Sequence, residues 1–146
     1  MPNNKRSVYV GAALQAAVDD VPGQTFSGRL NDIADAYRLI VAHELRAIAW
    51  TRNEWRAVMD VLNGSQIGGL GSLELQALQA WANLADAPEM AGKWRIDVDD
   101  LVGRWRALSA AGKVAVYEAA ARFWARAELP TDEALAAAGV RPRSDQ

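Results

Sequence analysis

The sequence predicts a mainly α-helical chain opened by one short strand, and three observations support this. Only residues 5–10 combine β-formers with a two-residue alternation, apolar positions recur at helical spacing from Ala12 onward, and polar capping residues or Pro-Gly pairs punctuate the apolar stretches. The 146 residues are 51% hydrophobic and 23% charged, which suits one compact domain or two very small ones.

The strand is Lys5-Arg-Ser-Val-Tyr-Val10, with Val8 and Val10 alternating with Ser7 and Tyr9. A short helix follows from Ala12 to about Val21, where Leu14 and Val18 stand four residues apart, and Pro22-Gly23 ends it. Ser27 is the expected cap of a longer helix carrying Leu30, Ile33, Ala34, Tyr37, Ile40 and Val41 at a 3.6-residue period and running towards Ile48. Thr51-Arg-Asn-Glu54 has the capping-box pattern, and Trp55, Val58, Met59 and Leu62 form the apolar face behind it, up to Asn63-Gly64.

Residues 64–71 are glycine-rich and read as a connector, after which Ser72 opens an apolar helix through Leu75, Leu78, Trp81 and Leu84 towards Pro88. Asp97 or Asp99 is the expected cap of a helix through Trp105 and Leu108. Ser109 begins another with Val114, Val116, Tyr117, Ala120, Phe123 and Trp124, and Pro130-Thr-Asp-Glu133 starts a last short one. The expected organisation is a segment 1–46, a small antiparallel helical bundle over 47–138, and a frayed tail over 139–146.

A lone strand leaves backbone donors and acceptors unpaired, and the chain offers no second candidate strand, so the partner strand must come from another copy. The apolar set Val8, Val10, Leu14, Val18, Leu30, Ile33 and Tyr37 is then the expected dimer core. A helix N-terminus exposes unpaired N–H groups and partial positive charge, so Ser27, Gly28 and Arg29 are expected to hold a backbone phosphate.

The spacing of Val8, Val10, Gly11 and Leu14, followed by Phe26-Ser-Gly-Arg-Leu-Asn-Asp-Ile33, resembles the ribbon-helix-helix family of DNA-binding proteins, Arc and MetJ among them, over residues 5–42. The resemblance implies a homodimer, or a higher oligomer, that inserts a two-stranded antiparallel ribbon into the major groove of double-stranded DNA. It implies Lys5, Ser7 and Tyr9 as base-facing residues, with Arg6 at the ribbon end against a phosphate. Slipping the register by one would turn Arg6, Val8 and Val10 to the DNA and leave Lys5 and Ser7 facing the core. Antitoxins and copy-number or conjugation repressors are cousins in that family, so a transcriptional repressor or plasmid-maintenance regulator is the implied class.

The charge balance is less telling. The formal net charge is −2 and residues 1–46 are neutral, with Lys5, Arg6, Arg29, Arg38 and Arg46 against Asp19, Asp20, Asp32, Asp35 and Glu44. Only the first residues are locally basic, since no acid precedes Asp19. The rival class is a protein-interaction module that dimerises through the ribbon and grips a protein partner with a tryptophan-rich bundle.

Other chemistry is not expected. The absence of cysteine excludes disulfides and thiolate sites, and the single histidine, His43, has no second nitrogen ligand, so no metal and no cofactor are expected; His43 reads as a surface or interface side chain. The cluster Asp97, Asp99 and Asp100 reads as helix-start acids. No triad or carboxylate pair can be assembled, so no catalytic residue is expected. The six tryptophans, several flanked by arginine as in Arg104-Trp-Arg106, read as core anchors with outward-pointing arginines. No run approaches the roughly 18 apolar residues of a membrane span, and no signal-peptide pattern opens the chain, so a cytoplasmic location is expected.

Overall fold

In a computed structural model, residues 11–62, 95–126 and 131–144 are described, and they are mainly helical. The helices are α1 (Ala12–Asp19), α2 (Phe26–Ala47), α3 (Arg52–Leu62), α4 (Val98–Ala107), α5 (Ala110–Trp124) and α6 (Asp132–Ala137). The expected strand over 5–10, the glycine-rich segment 64–71 and the helix expected from Ser72 lie outside the described residues. The chain divides into two units, Met1–Leu39 and Ile40–Gln146, and the division falls inside α2, earlier than the 46/47 boundary expected from the sequence.

Most helix starts follow from their capping side chains. At α3 the capping box forms reciprocally: Thr51 N donates to Glu54 Oε2 at 2.8 Å and Glu54 N to Thr51 Oγ1 at 3.3 Å. Asp97 caps α4 by accepting from Asp100 N, Ser109 caps α5 by accepting from Gly112 N, and Thr131 caps α6 by accepting from Ala134 N. The start of α2 differs from expectation: Thr25, not Ser27, is the capping side chain, its Oγ1 accepting from Gly28 N at 3.0 Å, and Ser27 lies inside the helix. Both residues carry a short hydroxyl whose oxygen can accept a backbone N–H at a helix start, and the helix begins at Phe26, directly after Thr25.

The second unit holds the core. Val41, Leu45, Ile48 and Trp50 pack with Trp55, Val58, Met59 and Leu62 of α3, Leu101 and Trp105 of α4, Val116, Tyr117 and Phe123 of α5, and Leu135 of α6. The aromatic centre is a chain of rings, with Trp50 to Trp55 at 4.7 Å, Trp50 to Trp105 at 6.4 Å, and Trp105 edge-on to Tyr117 at 5.9 Å. Trp124 anchors differently, donating its indole Nε1 to Met59 O at 2.9 Å.

The tail is a correction to the expected fraying. Gly139, at φ 87°, ends α6 with its N–H on Ala136 O while Val140 N reaches Leu135 O, the two hydrogen bonds of a Schellman motif. Val140 is 1% exposed, and Arg143 N donates to Trp50 O at 2.8 Å, forming an isolated parallel bridge beside Thr51. Residues up to Arg143 therefore belong to the second unit's packing. Two arginines of α3, Arg52 and Arg56, share Asp132 at 3.1 Å each and tie α3 to the start of α6.

Candidate nucleic-acid interface

The first unit supplies the candidate interface. Its described helical residues are half-buried at best: Leu14, Ala17, Val18, Leu30 and Ile33 are intermediate, Tyr37 is exposed, and no residue from Gly11 to Leu39 is buried. The short α1 and the N-terminal part of α2 thus present one apolar side that no described residue of this unit closes into a buried core. Five of the seven expected dimer-core residues, Leu14, Val18, Leu30, Ile33 and Tyr37, lie on α1 and α2; Val8 and Val10 lie outside the described residues, as do the base-facing candidates Lys5, Ser7 and Tyr9 and the phosphate candidate Arg6.

The expected phosphate residues at the start of α2 are in part already engaged. Gly28 N is taken by Thr25 Oγ1 and Arg29 N by Thr25 O, which leaves the N–H groups of Phe26 and Ser27 at the mouth of the helix. Ser27 is exposed, whereas Gly28 and Arg29 are half-buried. Arg29 donates its Nε to Ala17 O at 3.1 Å, satisfying one of the last carbonyls of α1 that has no helical partner, and among the described residues nothing engages its Nη atoms. The guanidinium therefore ties α2 to α1. From Gly11 to Leu39 the charges are Arg29 and Arg38 against Asp19, Asp20, Asp32 and Asp35, so acids outnumber basic residues in this span.

A buried polar cluster in the second unit is structural. Glu54, 8% exposed, accepts from Thr51 N and from both Nη atoms of Arg104, whose Nε in turn donates to Asp100 Oδ2 at 2.9 Å. Arg104 thus turns inward, contrary to the expectation that the arginines flanking the tryptophans point outward; the buried carboxylate draws it in. Arg106 and Arg126 are exposed as expected. Burial by itself raises the Glu54 pKa, but the Arg104 hydrogen bond, the Thr51 N–H and the Arg104 charge together outweigh it and hold the carboxyl below its usual value. The same bond holds the Arg104 guanidinium more firmly protonated, against a smaller opposing effect of burial.

A depressed carboxylate stabilises the fold above its unfolded pKa, and that stability disappears as pH falls through the folded value. Arg104→Ala removes the partner and leaves the buried carboxylate short of hydrogen bonds, at an expected cost of about 1–3 kcal/mol at neutral pH. The acid-side loss of stability should also begin at higher pH in this variant. Urea titrations between pH 3 and pH 7 check both effects, and an unchanged midpoint throughout would contradict them.

The Tyr117 hydroxyl is pushed up to about 12 by burial and stays protonated at neutral pH. A depression is lined by Arg52, Asp132, Arg143 and Ser144, and among the described residues no group of three His, Cys, Asp or Glu side chains could hold a metal ion. No described helix is long and apolar enough to cross a membrane. Comparison with protein-family models, curated proteins and solved structures finds no match to this chain.

Proposed function

We propose that the chain is a homodimeric, sequence-specific DNA-binding protein of ribbon-helix-helix type, acting as a transcriptional repressor or antitoxin-like regulator. The observation that carries this reading is the α1–α2 pair: an eight-residue helix and the start of a longer one, with a common half-buried apolar side and no buried residue of their own. An eight-residue helix such as α1 is marginal without tertiary burial, so the apolar side calls for a partner. A second copy contributing its own α1–α2 pair, with residues 5–10 of both copies paired as a ribbon, closes the core and leaves Lys5, Ser7 and Tyr9 on the outer face.

In this reading the start of α2 and the outer nitrogens of Arg29 contact phosphate, setting the register, while the ribbon reads base edges. The second unit, with a closed core of its own, then serves to bind a protein partner or extend the assembly. Mobility-shift selection from random duplexes tests the reading. The expected result is a pseudo-palindromic sequence whose half-sites match a two-fold protein; a pool that returns random, or no shifted band at low salt, would overturn it in favour of the protein-interaction module.

A further inference from the structure

The long helix α2 carries a second face that DNA recognition does not use. Side chains advance by about 100° per residue along a helix, so Asp32, Asp35, Ala36, Leu39, His43 and Arg46 fall on one stripe, on the opposite side from Leu30, Ile33, Tyr37 and Val41. All six are exposed, and Leu39 is 72% exposed. An aliphatic side chain this open, in the middle of a 22-residue helix, stands between acids on its N-terminal side and basic or ionisable nitrogen groups on its C-terminal side.

The arrangement is self-complementary. Asp35 and His43 lie four residues either side of Leu39, Asp32 and Arg46 seven either side, and Ala36 is mirrored by Ala42 at three. Two copies of α2 packed antiparallel about a two-fold axis at Leu39 would set each Asp32 against Arg46 of the other copy and each Asp35 against His43, with the small alanines letting the helices approach. Parallel packing would instead place like charges side by side. Within the chain Asp32 accepts one hydrogen bond, from Gln24 Nε2 at 3.1 Å, while Asp35, His43 and Arg46 have no ion-pair partner among the described residues.

We propose that this stripe is a self-association surface whose occupant is the α2 stripe of a second copy of this chain, packed antiparallel about Leu39. The contact is isologous, each copy presenting the same patch. It spans about 21 Å of helix, too little to bury the area of a stable interface, so the association is weak and rises with concentration. It goes beyond the DNA-binding reading without depending on it: where ribbon dimers form, it joins one dimer to the next.

Sedimentation velocity of the full chain over a concentration series at low salt tests the surface, with circular dichroism checking that each variant keeps its helicity. The expected result is an association step that Leu39→Glu removes. Asp32→Arg or Arg46→Asp alone should weaken that step by at least about tenfold through like-charge opposition at both ends, and the double variant Asp32→Arg/Arg46→Asp should restore it. Restoration requires the two positions to face each other across copies. Absence of any step sensitive to Leu39→Glu, or failure of the double reversal to rescue it, overturns the proposal. Operator discrimination, measured separately, should be unchanged by Leu39→Glu, so failure of this surface and failure of the DNA-binding reading give different results.

Discussion

Deleting residues 1–10 is expected to convert the protein from a dimer to a monomer at micromolar concentration and to abolish sequence-specific DNA binding. The deleted segment supplies both strands of the proposed ribbon, two of the seven proposed core residues and the basic pair Lys5 and Arg6. Specific affinities commonly exceed non-specific ones by about a thousandfold or more, and the deletion should remove that whole margin. The second unit should remain folded, because among the described residues its core draws on Val41 and residues after it. Sedimentation, mobility shift and circular dichroism check the three statements, and a truncated chain that still dimerises and still discriminates its operator would contradict the first two.

Trp55→Ala is expected to cost about 3–5 kcal/mol, the usual range for emptying a buried aromatic site. Trp55 is 0% exposed and its ring lies against Trp50, which in turn approaches Trp105, so the truncation opens a cavity where α3 and α4 meet. A domain is typically stable by only about 5–15 kcal/mol, so much of the second unit's stability should disappear. Urea denaturation followed by circular dichroism checks this. A loss below about 1 kcal/mol would mean that the ring chain is not the centre of the core.

The sequence made the second unit's local elements legible and left its tertiary pairings hidden. Thr51, Asp97 or Asp99, Ser109 and the stretch Pro130-Thr-Asp-Glu133 could be read as helix starts because capping is a local bond to a backbone N–H three residues on, and Thr51, Asp97, Ser109 and Thr131 cap their helices. Trp55, Val58, Met59 and Leu62 could be read as one face because the helical period is also local, and all four are buried. The Glu54–Arg104 pair joins residues fifty positions apart and had no signal in either segment.

The unit boundary was misplaced for a related reason. The apolar period of α2 continues unbroken from Leu30 to Leu45, and periodicity does not say which neighbour receives which turn. Val41 and Leu45 are 0% and 1% exposed within the second unit's core, so a bundle taken to begin at residue 47 omits two of its anchors. The sequence after Gly139 carries no periodic signal for packing, since only Arg141-Pro-Arg-Ser-Asp-Gln146 follow Val140. Gly139 redirects the chain there, and the C-terminal hydrogen bonds of α6 place Val140 in the core. In the first unit the helix pair and its apolar side were legible, while Arg29's bond to Ala17 was not, since it joins two helices across a turn.

The most direct measurement of the central claim is a binding titration of the full chain against its selected duplex and a scrambled one at several salt concentrations, comparing the wild type with a Lys5/Ser7/Tyr9 triple-alanine variant, Arg29→Ala and Val8→Ala. Loss of good base contacts should reduce discrimination by about 1–3 kcal/mol each in the triple variant. Arg29→Ala should weaken both duplexes alike and lower the salt slope by about one unit per phosphate released, and Val8→Ala should act through stability. Full-affinity, fully specific binding by the triple-alanine protein would contradict the assigned face, and loss of specificity in a folded Val8→Ala protein would place the strand in the slipped register.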